Sequence, residues 1–345
     1  MANARKLKSG NYRVLAYCGR DENGKRIYKS FTAATKQSAE QLALAFTGGD
    51  NAKNCESMTV ADALKSYINK KTPVLSPTTI KNYHRMQKHN MKLVQEKNVN
   101  RLTNIDIQNN INLETKAKSP KTLKNAYGLL SAALKNYRPD FVMRVVFPQK
   151  TKVRITIPSK EQIAILVEQA EPQLRCAILI ACELGLRRSE ISALDKSDFD
   201  RTRRVLDVNK AMVLGTDNIW QLKPPKSFSG YRTLPLSDKL CDEILNVIND
   251  KTNTIIDLTP DMITAHFQRL LKRNPEIPHF RFHDLRHYNA SVMLALNVPN
   301  RYAMERLGHA TPDMLNRVYQ HTMIDKQKQI SEDISNYFNM KAENV

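Results

Sequence analysis

The chain of 345 residues is long enough for two or three domains, each burying a core of its own. Its 54 lysines and arginines outnumber 34 aspartates and glutamates, a formal net charge of +20 that points to a polyanionic partner. Because the excess is spread along the chain, nucleic acid is favoured over an anionic membrane. No apolar run approaches the roughly 20 residues of a spanning helix, and five scattered cysteines form no Cys-x-x-Cys pair. The opening Met-Ala-Asn-Ala-Arg-Lys-Leu-Lys lacks the apolar core of a signal peptide, so a cytoplasmic protein with reduced thiols is expected.

Residues 11–17 and 25–32 are rich in β-branched and aromatic side chains and flank Asp21-Glu22-Asn23-Gly24, which predicts a hairpin. Ser38 with Gln41 then forms a capping box for a helix through Phe46 or Thr47, ended by Gly48-Gly49. This β-β-α unit carries Arg13, Arg20, Lys25, Arg26 and Lys29, and a basic sheet of its size can enter a DNA groove. The alternative is an accessory hairpin whose charges are merely solvated. Beyond a polar linker, four helices are predicted from their caps: Thr59 with Asp62, Ser76-Pro77, Thr103 with Asp106, and Ser119-Pro120. Lys81 and Arg85 make one of these helices basic, and Lys121 and Lys124 another, as a phosphate-facing or simply solvated surface would be.

Residues 138–158, bracketed by Pro139, Pro148 and Pro158, read as an extended interdomain linker. Ser159 opens the next helix, and the apolar run from Cys176 to Leu184 predicts a buried helix that Gly185 ends. Alternation near 204–213, 219–223 and 231–236 suggests one small antiparallel sheet. Helices are expected at about 237–249, 260–273, 283–296, 300–307 and 312–320, and an amphipathic one at 324–340 with Ile330, Ile334 and Tyr337 on one stripe. The fold class is therefore mainly α with small antiparallel β sheets, α+β.

Three short patterns carry chemistry. Gly185-Leu-Arg187-Arg-Ser-Glu190 places an arginine just past a helix stop, where alone it would be an ordinary ion-pair residue. His283 and Arg286 share a helical face. Leu307-Gly308-His309 is followed ten residues later by Tyr319. In this order they resemble the tyrosine recombinase, or phage integrase, family: Gly-Leu-Arg-x-x-Glu, a hairpin lysine, His-x-Leu-Arg, Leu-Gly-His, then Tyr. The resemblance covers about 155–325, and the upstream units are similar to those of three-domain integrases from temperate phages and conjugative transposons.

The resemblance implies an arm-type DNA-binding domain at 1–50, a helical core-binding domain at 57–140 and a catalytic domain of the DNA breaking-rejoining type at 155–345, whose C-terminal segment docks on a neighbour. It implies Tyr319 as the nucleophile that forms a 3′-phosphotyrosine, with Arg187 and Arg286 clamping the phosphate. His283 would shuttle the tyrosine proton, His309 would bond the phosphate, and Glu190 would orient its neighbours. The leaving 5′-oxygen would take its proton from a lysine ahead of Arg232-Thr-Leu-Pro235. Lys226 has the better spacing, with Lys223 in reserve, although Pro224-Pro225 departs from the usual Lys-Thr-Lys.

Neither a metal nor any other cofactor is implied. His283 and His287 are four apart, but no His-Glu-x-x-His pattern or nearby cysteine accompanies them. Implied partners are double-stranded DNA attachment sites, a homotetramer assembled on them through a Holliday junction, an excisionase and a host DNA-bending protein. The DNA-bound protein would be associated with a bacterial nucleoid. A type IB-like topoisomerase would use the same chemistry without a specific site. A non-catalytic DNA-binding regulator would explain the charge but not the ordered patterns.

Overall fold

A computed structural model describes residues 4–7, 9–20, 26–48, 58–139, 141–149, 156–225, 227–308 and 330–338. The chain divides into two compact units, residues 1–151 and 152–345.

In the first unit, β1 (Arg5–Lys6), β2 (Tyr12–Arg20) and β3 (Arg26–Ala33) form an antiparallel sheet in the order β1-β2-β3. β2 outruns its predicted end, with a register shift between Tyr17 and Gly19, and β1 is too short for any periodicity to announce. The predicted turn at 21–24 lies outside the described residues. Helix α1 (Lys36–Gly48) covers one face, where Val14 and Ala16 meet Ala39 and Ala43. It starts earlier than the Ser38 box suggests, because the Thr35 hydroxyl accepts the Ser38 amide at 3.2 Å and so caps the first turn.

The four predicted helices follow as α2 (Val60–Lys71), α3 (Pro77–His89), α5 (Asn104–Glu114) and α6 (Pro120–Leu134), with a further short helix, α4 (Lys92–Gln95). Thr59 with Asp62 and Thr103 with Asp106 make reciprocal capping boxes. Leu64, Ile107, Ile111, Leu123 and Leu130 lie in the core between them. α4 has no cap signal of its own. It is held from outside: Glu114 accepts the Met91 amide at 2.7 Å and Asn110 the Leu93 amide at 3.0 Å.

Residues 141–149 correct the linker reading. Phe141, Met143, Val145 and Phe147 pack alternately on the helical core. On the outward side, Asn104 accepts the Arg144 amide at 2.9 Å and donates to the Val142 carbonyl at 3.2 Å. Gln108 treats Val146 the same way, at 2.8 Å and 3.2 Å. The segment is a strand-like strap whose partners are side chains, so its prolines mark ends and not slack.

The second unit is built around α8 (Pro172–Leu184), buried nearly throughout and packed against α7 (Lys160–Gln169), α10 (Asp238–Val247), α11 (Pro260–Arg273) and α12 (Asp284–Ala295). The short α9 (Arg188–Ile191) follows Gly185, and α13 (Asn300–Leu307) leads to Gly308. The predicted single sheet is two. One has the order β4 (Phe199–Asp200), β5 (Val205–Val208), β8 (Arg232–Pro235); the other pairs β6 (Ala211–Leu214) with β7 (Trp220–Lys223). The run 204–213 breaks at Asn209-Lys210 because Asp198 accepts both side chains, each at 2.9 Å, and Lys210 also reaches Asp195 at 2.7 Å. The helix predicted at 312–320 lies outside the described residues. Of the terminal helix, 330–338 is helical, with Ile330, Ile334 and Tyr337 exposed. Among the described residues no helix is long and apolar enough to cross a membrane.

The strap makes a prediction. Phe147→Ala removes a ring that meets Tyr127 edge to face at a centroid distance of 6.0 Å, and should loosen the bundle by about 2 kcal/mol. Amide hydrogen exchange in α5 and α6 should accelerate about 30-fold. Unchanged exchange would return 141–149 to a linker.

Candidate active site

Four chain segments meet where α8 ends. Gly185 turns the chain in the left-handed region at φ +69°, and a Cβ there would collide with Leu307 and lie 2.8 Å from the Asn289 side-chain oxygen. Only glycine brings the α8 terminus this close to α12 and α13. Asn289 secures the contact by donating to the Cys182 and Glu183 carbonyls at 2.8 and 2.9 Å.

Arg187 leaves this turn half-buried. Its guanidinium donates from Nη1 to Glu190 Oε1 at 2.6 Å and from Nη2 to the Gly308 carbonyl at 3.3 Å. Its amide donates to Glu190 Oε2 at 2.9 Å. Arg286, only 2% exposed, donates from Nη1 to the Gly185 carbonyl at 2.6 Å and from Nη2 to the Leu307 carbonyl at 2.5 Å. Thus two arginines a hundred positions apart are anchored on consecutive carbonyls, 307 and 308, immediately before His309. Burial and then the neighbouring Arg187 push the Arg286 guanidinium down to about 9, which leaves it charged at neutral pH.

Glu190 is 6% exposed. Burial opposes its ionisation, but the guanidinium groups of Arg232 and Arg187 prevail and hold its carboxyl at about 2. Arg232, at the start of β8, donates to Glu190 Oε2 at 2.8 Å, to the Gly230 carbonyl at 3.0 Å and to the Arg306 carbonyl at 2.9 Å. His283 stands half-buried at the head of α12, its ring edge to face with His287 at 5.2 Å. Burial first, then His287 and Arg286, push its imidazole down to about 4. It is neutral at pH 7, the form that can accept a proton.

The structure therefore brings together Arg187, Glu190, His283 and Arg286. Lys226, His309 and Tyr319 lie outside the described residues. Lys223 closes β7, half-buried and paired with Ala211. Gly230 packs so closely on Pro225 that a Cβ would overlap the proline ring, which gives the second residue of the unusual double proline a packing role beside Gly230. In the sequence Arg232 stands only as a landmark for the lysine, and His287 falls outside the implied catalytic set. Both touch the site, and neither has a local signal, since each acts through a partner far away in sequence.

Among the candidate DNA contacts, Arg13 and Arg26 are exposed, and the register sets Arg13 with Leu15 and Tyr17 on the sheet face away from α1. Lys29 pairs with Ala16 and shares the α1 side with Phe31. Lys25 and the Arg20 side chain are outside the described structure. Arg85, Lys121 and Lys124 are exposed and Lys81 half-buried on α3 and α6, whose shared groove is lined by Asn82, Tyr83, Lys124 and Asn125. Among the described residues no group of three or more His, Cys, Asp or Glu side chains could hold a metal ion.

Residues 156–325 match the phage integrase family. A XerC-like tyrosine recombinase of Caldanaerobacter subterraneus subsp. tengcongensis is 27% identical, across 93% of this chain and 95% of its own. Among solved structures, the Tn1549 transposon integrase bound to transposon right-end DNA superposes with a TM-score of 0.67 at 19% identity, covering 81% of this chain and all of that one. The lambda integrase tetramer bound to a Holliday junction gives 0.55 at 18%, over 92% and 94%. The chain belongs to the phage integrase family of tyrosine recombinases, enzymes that transfer DNA strands. Within it, this is a site-specific recombinase of the phage and conjugative-transposon type.

The His283 environment predicts a pH effect on stability. An unfolded chain takes up a proton at His283 near pH 6.5, whereas the folded one resists until about 4. The unfolded state binds more protons in that window, so stability falls as pH drops through it, by at most about 3 kcal/mol from this residue. Thermal unfolding of His283→Gln between pH 7 and pH 4.5 should show a shallower decline than the parent; parallel curves would contradict it.

Proposed function

We propose that the arginine pair receives the non-bridging oxygens of a DNA phosphodiester while Tyr319 attacks the phosphorus. The observation that carries this reading is the anchorage of Arg187 and Arg286 on the carbonyls of Gly308 and Leu307, beside a neutral His283. The tyrosine oxygen forms a bond to phosphorus as the bond to the 5′-oxygen breaks, leaving a 3′-phosphotyrosine and a free 5′-hydroxyl. A phenol with a reference pKa of about 10 needs a base, and His283 takes its proton. Lys226 protonates the departing 5′-oxygen, His309 donates to the phosphate, and Glu190 keeps Arg187 in place. The two guanidinium groups neutralise charge that builds on the phosphoryl oxygens, a contribution of several kcal/mol in a water-poor site. Rejoining reverses the steps and draws on the phosphotyrosine bond, so no nucleotide is consumed.

In this reading residues 1–50 bind arm-type sites through the open sheet face with Arg13 and Arg26, and 57–140 bind core sites through Arg85, Lys121 and Lys124. The catalytic domain, 155–345, assembles as a tetramer on attachment-site DNA and exchanges strands through a Holliday junction, with the segment after Tyr319 docking on the adjacent protomer. The lambda integrase tetramer on such a junction supports that assembly, and the Tn1549 integrase on transposon-end DNA supports a mobile element as the substrate. An excisionase and a host DNA-bending protein would set direction, and the work would take place in the bacterial cytoplasm at the nucleoid.

Tyr319→Phe should bind attachment-site DNA as the parent does and form no covalent adduct on a nicked suicide substrate; an undiminished adduct would remove Tyr319 from the mechanism. Lys226→Ala should slow cleavage of a normal 5′-oxygen at least ~100-fold and recover on a 5′-bridging phosphorothiolate, whose leaving group needs no proton. If Lys223→Ala shows that recovery instead, the acid is Lys223.

A further inference from the structure

We propose that Arg232 is a positioning residue for Arg187, acting through the Glu190 carboxylate and the end of α13. The inference rests on the phosphate-binding role proposed for Arg187.

Arg232 is almost wholly enclosed, its side chain 4% exposed, so it acts on a phosphate through a neighbour and not by contact. Three of its side-chain bonds go to three different segments. Nη2 reaches Glu190 Oε2 at 2.8 Å, Nη1 the Gly230 carbonyl at 3.0 Å, and Nε the Arg306 carbonyl at 2.9 Å. Arg187 is anchored at two places, Glu190 Oε1 and the Gly308 carbonyl, and Arg232 braces both of them. It fixes one carboxylate oxygen while the other faces Arg187. It also grips the carbonyl two residues before Gly308. Gly308 itself is shaped around this contact: at φ +61° it comes so close that a Cβ would stand 3.0 Å from Arg232 Nη1.

The charge balance requires the same arrangement. A buried carboxylate facing a single half-exposed arginine would be incompletely compensated, and could swing or take up a proton. The second guanidinium keeps it ionised and in one orientation. A lysine could donate to the carboxylate but could not span the Gly230 and Arg306 carbonyls with a planar fork. The same bonds tie the turn after Lys226 to the segment before His309, so that two parts of the proposed site share one brace.

The experiment compares Arg232→Gln, Arg232→Lys and Arg187→Ala with the parent on a nicked suicide substrate, at saturating protein, carrying either the normal phosphate or a neutral methylphosphonate at the scissile position. With no charge on that non-bridging position, cleavage no longer needs a well-placed Arg187. Arg232→Gln is expected to cleave the phosphate about 100-fold more slowly with DNA affinity within about threefold of the parent, and to recover on the methylphosphonate as Arg187→Ala does. Arg232→Lys keeps a cation beside Glu190 and serves where the glutamine variant does not fold; it is expected to show the same defect and the same recovery. A residue that only stabilises the fold would slow both substrates alike. Recovery of Arg187→Ala without recovery of either Arg232 variant overturns the proposal, as does parental cleavage of the phosphate by both. If Arg187→Ala itself fails to recover, the phosphate-binding role of Arg187 falls, and this inference falls with it.

Discussion

The second unit depends on one buried carboxylate. Glu190 lies between the guanidinium groups of Arg187 and Arg232 with almost no access to water, and each of its oxygens accepts from a different guanidinium group, Oε2 taking the Arg187 amide as well. Such a group is stable only while both cations stay, because a buried charge that loses a partner keeps its desolvation cost. The constraint runs outward from there. Arg232 fixes β8 against α13, Arg187 fixes the turn after α8, and the short α9 that carries Glu190 cannot move without disturbing both.

Around that pair the backbone is arranged to permit close approach. Gly185 and Gly308 both occupy the left-handed region, and each sits where a side chain would strike a residue of the site. The two glycines let the C-terminal ends of α8 and α13 lie next to each other, with Arg286 reaching a carbonyl of each. Close-packed ends of this kind have discrete arrangements and little continuous play, which suits a site where a displacement of an ångström changes rate.

Much of this was legible in the sequence, for identifiable reasons. Capping boxes are local, so the starts of α2, α5, α7 and α8's glycine stop could be read to the residue. The ordered patterns around Arg187, His283 and His309 gave the family because their order is unusual even though each piece is common. What escaped were features specified by distant partners. α4 is held by Glu114 and Asn110, the strap at 141–149 by Asn104 and Gln108, and the split of the sheets by two aspartates that capture Asn209 and Lys210. Periodicity reports which face of an element is apolar; it has no access to a side chain that bonds the backbone of another element. Arg232 and His287 carry no local signal on the same account.

The arginines' attachment to carbonyls has an electrical consequence. The C-terminal end of a helix carries roughly half a negative charge in its unpaired carbonyls, and α8 and α13 bring two such ends together. Arg286, Arg187 and Arg306 are bound there, Arg306 on the Glu183 carbonyl at 3.0 Å. Dipole ends stabilise clustered cations without cancelling them as carboxylates would. In the cluster of Arg187, Arg232, Arg286 and Arg306, Glu190 bonds Arg187 and Arg232, while Arg286 and Arg306 are held on carbonyls. The site keeps a surplus of positive charge in its resting state, and an arriving phosphate meets an attractive field that needs no rearrangement to appear.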